Sequence, residues 1–159
     1  MTNDPILFYD QREPYGFFSN FSRHRVEIYG RIWMTSEHPF QAMKFLDPLL
    51  QERVWAAMSP GKAAEIGRDR SLPLRADWDD PDPTPEPPYV ELVKDRVMYD
   101  VVTAKFTQHH DLGLALLGTG HAILIENAIH DPYWGWGSSR TGVNRLGKIL
   151  MAVRDKLRR

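Results

Sequence analysis

The chain has 159 residues, 20 Lys and Arg against 21 Asp and Glu for a net charge of -1, 42% hydrophobic residues and no cysteine. That length suits one domain with a sizeable core and is short for two. The charge balance excludes a global basic field for nucleic acid or anionic membrane, and the missing cysteines exclude disulfides, thiolate metal sites and cysteine nucleophiles.

The N-terminal MTNDPILFYD lacks the basic flank and apolar stretch of a signal peptide, and no apolar run approaches the ~20 residues that span a bilayer, so a cytoplasmic protein is expected. ILFYD (6–10) reads as a strand and PYGFFSNFS (14–22) as a turn-rich segment. VEIYGRIWM (26–34) reads as a hairpin turning near Tyr29-Gly30. Thr35 or Ser36 caps a helix starting near Glu37, with Pro39 tolerable in its first turn, and Asp47-Pro48 ends it. PLLQERVWAAM (48–58) is the next helix. Ser59 and Pro60 open another, for which Gly67 is the expected stop. DDPDPTPEPP (79–88) suits an extended surface loop.

Beyond it, 89–108 carries Val90, Val93, Val97, Val101 and Ala104 at helical spacing, and LGLALL (112–117) is a further short helix. AILIE (122–126) is strand-like, 130–142 is a loop, and Asn144 caps a last helix with the stripe Leu146, Ile149, Leu150, Val153 and Leu157. The expected fold is a single, mainly α domain with a few short β-strands.

Three clusters can carry chemistry. In TSEHPFQAMKF, at ~100° per residue, Gln41 lies about 40° from Glu37 and Lys44 about 20° to the other side, so the three share one stripe. A carboxylate in the first helical turn is favoured in its ionised form by the helix dipole and suits a base or a stabiliser of positive charge. A partly desolvated Lys44 suits a nucleophile. The same pattern also fits a capped helix with a solvated face. In GRDRSLPLRADW (67–78), Arg68, Arg70 and Arg75 offer forked donors to a phosphate and Trp78 a stacking surface, or the segment is a solvated loop with Trp78 plugging the core. In HDPYWGWGSSRTGVN (130–144), glycine-rich chain entering a helix offers backbone N–H groups to an anion, with Trp134 or Trp136 to stack and Asp131 as its one acid, or it is a turn-rich loop. No HExxH, GxSxG or phosphate-cradling loop is present, which leaves paired carboxylates: Glu37 and Asp131, with Glu126 in reserve.

FYDQREPYGFFSNF, WMTSEHPFQAMKF, GRDRSLPLRADW, VMYDVVTAKFTQ and DPYWGWGSSRTGVNRLGKILMAVRDKL, in this order from about 7 to 157, resemble the NADAR, or YbiA-like, family. The resemblance implies a mainly helical N-glycosidase with no metal or organic cofactor. The small-molecule substrate that the resemblance implies is a phosphoribosyl compound, an aminopyrimidine or aminopyrimidinone joined to ribose 5-phosphate in early riboflavin biosynthesis. The alternatives are removal of ADP-ribose from guanine in nucleic acid and non-catalytic binding of ADP-ribose or a nucleotide. Carried over residue by residue, the pattern makes Glu37, Asp131 and Lys44 the catalytic candidates. Asn20, Arg68, Trp78, Trp134, Gly135 and Asn144 become substrate contacts. Two departures stand out: Pro39 occupies a position where the family commonly has an aromatic, and the 79–88 loop is longer and richer in proline than usual.

Overall fold

The computed structural model describes residues 4–84 and 86–159, which form six α-helices and four strands of three residues each. After Ile6–Phe8 (β1), Val26–Ile28 (β2) and Arg31–Trp33 (β3) make the expected hairpin, with Val26 opposite Trp33 and Ile28 opposite Arg31. Its turn residues Tyr29 and Gly30 have φ of 54° and 77°, the I′-type geometry whose twist matches that of the strands.

Three short helices follow: Glu37–Ala42 (α1), Pro48–Trp55 (α2) and Pro60–Arg68 (α3). Asp47 accepts the Leu49 N–H at 2.9 Å and Ser59 accepts the Lys62 N–H at 3.1 Å, each with proline at the start of the helix. Pro39 does not delay α1, because the third helical position has no intrahelical acceptor to lose. Three boundaries of these helices differ from the sequence reading. α1 ends at Ala42, α2 ends at Trp55 short of residue 58, and α3 runs past Gly67 to Arg68.

Val93–Gln108 (α4), His110–Gly118 (α5), Leu124–Glu126 (β4) and Arg145–Leu157 (α6) complete the chain. α4 begins at Val93, not at 89, because the Asp95 carboxylate turns back to accept the N–H groups of Glu91 and Leu92. β4 pairs in parallel with β1, Ile6 opposite Leu124 and Phe8 opposite Glu126. The main core lies between these strands, α4 and α6, and contains Phe8, Phe18, Val101, Phe106, Leu124, Ile149 and Leu150. A smaller cluster of Trp33, Phe45, Val54 and Ala63 joins the hairpin to the first three helices.

The proline-rich segment is less free than expected. Asp82 is buried, its N–H bonds Glu91 O at 2.8 Å, and Arg96 donates to the carbonyls of Thr84 and Glu86. Pro85, within the segment, lies outside the described residues.

One polar group inside the core organises the loop after β1. Lys105 of α4 is 1% exposed, and its Nζ donates to Phe17 O (2.6 Å), Ser19 O (3.0 Å) and Ser22 Oγ (2.7 Å). Burial pushes its pKa down to about 7, while the three acceptors oppose that shift by solvating the ammonium. Replacing Lys105 with Met keeps the stem and leaves two carbonyls without this donor. We expect a loss of roughly 2–3 kcal/mol in stability, read from the urea midpoint.

Candidate active site

A cleft of about 790 Å³ opens where α1, the end of β4 and the segments after β1 and β4 converge. α1 supplies Glu37, Phe40 and Gln41. Gln41 Nε2 donates to Glu37 Oε1 at 2.6 Å, one turn apart as the stripe required. Gln41 lies this way because Gly67 of α3 faces it: a Cβ there would stand 1.9 Å from Gln41 Oε1 and 2.9 Å from Gln41 Cβ. Lys44 lies beyond the end of α1, in a turn closed by its N–H on Gln41 O, yet it still lines the cleft, with its Nζ 5.6 Å from the Phe40 ring centre. Ser36 sits at the N-cap position without capping. Its Oγ donates to Asn20 Oδ1 at 2.9 Å, while Asn20 O accepts the Glu37 N–H, so the 19–22 loop is fastened to the start of α1.

The electrostatics correct one expectation. Glu37 is 7% exposed, and burial raises its pKa, opposed by the Gln41 hydrogen bond and by the charges of Arg68 and Lys44. A helix of six residues has too few aligned peptides for its dipole to outweigh that desolvation. Burial likewise pushes Lys44 down to about 8, aided by Arg70, Arg68 and Lys94 and opposed by Glu37.

Glu126, the last residue of β4, also lines the cleft. Its Oε2 is buried without a hydrogen-bond partner, and burial, with the nearby charges of Asp131 and Glu37, raises its pKa to about 8. Asp131 completes the acidic set, its Oδ1 accepting the N–H groups of Tyr133 (3.0 Å) and Trp134 (2.9 Å). The Trp134 ring meets Phe40 edge-on at 5.2 Å on the same wall. Arg68 and Asn20 line the cleft as well, and the rim beyond β1 adds Tyr9 and the ion pair of Asp10 with Arg12.

Other candidates stand behind this surface. Trp78 is 5% exposed, packs on Phe40 at 5.4 Å and is not among the lining residues, so the core-plug alternative describes it. Arg70 donates to Gly67 O, and Arg75 pairs with Asp77, which leaves Arg68 as the arginine of that block on the cleft. The first three N–H groups at the start of α6 are not free. Those of Asn144, Arg145 and Leu146 bond the carbonyls of Gly135, Tyr133 and Trp134. Asn144, with φ of 53°, does not cap α6 through its side chain. The amide brackets β4 instead, with Oδ1 accepting the Glu126 N–H at 3.0 Å and Nδ2 donating to Leu124 O at 2.9 Å. Gly135 lies against this strand, where a Cβ would come within 2.7 Å of Glu126 O.

The family model described as NADAR domain matches residues 7–158. The chain belongs to the NADAR domain family. It is 43% identical over 157 residues to the N-glycosidase YbiA of Escherichia coli, covering 99% of this chain and 91% of that one. It is 37% identical over 153 residues to the riboflavin biosynthesis protein VVA0006 of Vibrio vulnificus, covering 96% of this chain and 38% of that larger protein. The NMR structure of E. coli YbiA superposes with a TM-score of 0.85 at 42% identity, over 99% of this chain and 87% of that one. This NADAR chain therefore shares the mainly helical YbiA fold, and none of its described helices is long and apolar enough to cross a membrane.

The raised pKa of Glu126 has a consequence for stability. Between its ordinary value of 4.5 and its folded value of about 8, the folded state holds a proton that the unfolded chain has released, so this group makes stability fall as pH rises through that window. Glu126→Gln removes the dependence. Its Tm is expected to exceed that of the wild type near pH 8, with the gap closing as pH is lowered toward 4.5.

Proposed function

We propose that this chain is an N-glycosidase that hydrolyses the C–N bond between an aminopyrimidine or aminopyrimidinone and ribose 5-phosphate. The observation carrying this reading is the convergence of the buried Glu37–Gln41 pair with Lys44, Arg68 and Asp131 on one cleft. The N-glycosidase and riboflavin names of its relatives support the substrate class. The match over residues 7–158 supports reading the chain as a single domain.

N-glycoside cleavage passes through a cation-like sugar, so it needs negative charge near the anomeric carbon, a placed water and neutralisation of the departing amine. Glu37 is the base toward water: its raised pKa brings it nearer the working pH, and Gln41 fixes its orientation. Asp131, anchored by two backbone N–H groups, sits where its charge supports the developing cation and takes part in proton transfer. Arg68, with no competing partner among the described residues, holds the phosphate, and Asn20 and Trp134 shape the sugar and base subsites. A sugar bearing an exocyclic amine also opens to an imine. Lys44, whose pKa of about 8 leaves a useful fraction of free amine near neutrality, is then placed to exchange into a transient Schiff base.

The decisive assay offers the purified chain the two aminated ribose 5-phosphate intermediates and guanine-ADP-ribosylated DNA, with products identified by mass spectrometry. Release of ribose 5-phosphate is expected. Release of ADP-ribose alone would move the substrate to nucleic acid, and release of neither would leave a binding module. Glu37→Gln is expected to lower kcat by at least about 100-fold with KM little changed. Borohydride added during turnover is expected to fix the sugar to Lys44 if the imine route operates; repeated absence of the adduct would leave direct attack by water.

A further inference from the structure

We infer that Glu126 is the general acid of this site, delivering its proton to the glycosidic nitrogen as the C–N bond breaks. The inference rests on the N-glycosidase reading and assigns a role that reading left to Asp131. Its basis is geometric. Glu126 closes β4, and its backbone is held on three sides: its N–H by Asn144 Oδ1, its carbonyl by the Trp136 N–H at 3.2 Å, and the strand itself by pairing with Phe8. From that fixed base the side chain reaches the cleft that Glu37, Lys44 and Arg68 also line, and its buried Oε2 has no partner. A buried carboxyl oxygen without a donor is costly as an anion and is tolerable as the O–H of an acid.

The neighbouring acids are differently equipped. Burial and the charge of Asp131 raise the proton affinity of Glu37 too, but Glu37 receives the Gln41 amide and feels Arg68 and Lys44, all of which favour its charge, and Asp131 already accepts two N–H groups at Oδ1. Glu126 feels only the like charges of Asp131 and Glu37, both of which favour its proton. The other titratable groups on the cleft are Tyr9, His130 and the Asp10–Arg12 pair. On α6, which packs against β4, Arg145 turns away to Tyr89 O and Glu91. Environments that separate the proton affinities of neighbouring carboxyl groups assign the acid and the base.

The step balances. As the bond from the anomeric carbon to nitrogen breaks, its electron pair goes to nitrogen, which takes the Glu126 proton and leaves as a neutral amine. Water adds to the anomeric carbon and gives a proton to Glu37, and exchange through solvent returns one proton to Glu126. If Lys44 attacks first, the amine still has to depart protonated, so the role of Glu126 is unchanged.

The test measures kcat for the aminated ribose 5-phosphate substrate across about pH 6 to 9.5 in the wild type and Glu126→Gln. The expected loss is about 100-fold or more near pH 6, narrowing as the wild type releases the Glu126 proton around pH 8. A loss below about threefold, or one that does not narrow with pH as a purely structural defect would not, overturns the assignment. A wild type inactive on this substrate overturns the glycosidase reading and this role with it; an active wild type confines any failure to Glu126. Independently of any variant, the Glu126 side-chain carboxyl carbon, followed by NMR in the wild-type chain, is expected to titrate above about pH 7, and a midpoint below that overturns the assignment.

Discussion

The bracket that Asn144 places around β4 is the contact on which the rest of this architecture depends. A parallel pair of three-residue strands leaves one edge of β4 unpaired, and such an edge is marginal by itself. The Asn144 amide supplies two of the missing bonds, to the Glu126 N–H and to Leu124 O, and so acts as a third strand one residue long. To do so the residue adopts left-handed geometry, which asparagine tolerates better than most side chains. Gly147 gives the amide room, since a Cβ there would lie 2.1 Å from Leu124 O and 2.5 Å from Asn144 Nδ2. The end of β4, the 130–144 loop and the start of α6 are thereby joined, and with them the positions of Glu126, Asp131 and Trp134.

On that frame the cleft divides its charges by partner, not by residue type. Glu37 and Glu126 are both withdrawn from water, and burial is the largest influence on each. Glu37 is given an amide and two cations that restore part of the solvation it lost. Glu126 is given none, so of two carboxyl groups that burial pushes toward the protonated form, Glu37 has partners that support its charge and Glu126 does not. Lys44 and Arg68 set positive charge beside these acids, so a chain with almost no net charge carries a locally polarised cleft.

What the sequence made legible was chiefly local. The starts of α2 and α3 were written in Asp47-Pro48 and Ser59-Pro60, and the hairpin in Tyr29-Gly30, because each cap or turn is closed by atoms a few residues apart. Pairings distant along the chain were not legible. Ser36 reads as a cap until Asn20 arrives beside it, and Gly67 reads as a helix stop until Gln41 needs the space. The 130–144 loop reads as a donor of N–H groups until its own carbonyls are seen to accept them. The family pattern located Glu37, Lys44, Arg68, Asp131 and Trp134 on the cleft. It could not separate them from Trp78, Asn144 and Gly135, since residues that support a site recur in a motif as faithfully as residues that face it.

The contact between Gly67 and Gln41 carries a lesson for engineering. Judged by helix propensity alone, a glycine within α3 is a natural target, since alanine there would be favoured by roughly 0.5–1 kcal/mol. The methyl group would press on the Gln41 side chain at its Cβ as well as its tip, so the pressure is not relieved by swinging the amide aside. The added rigidity of one helix would thus be transmitted to the orientation of a carboxylate on another. In this fold a thermostabilising substitution and a damaged site can be the same mutation.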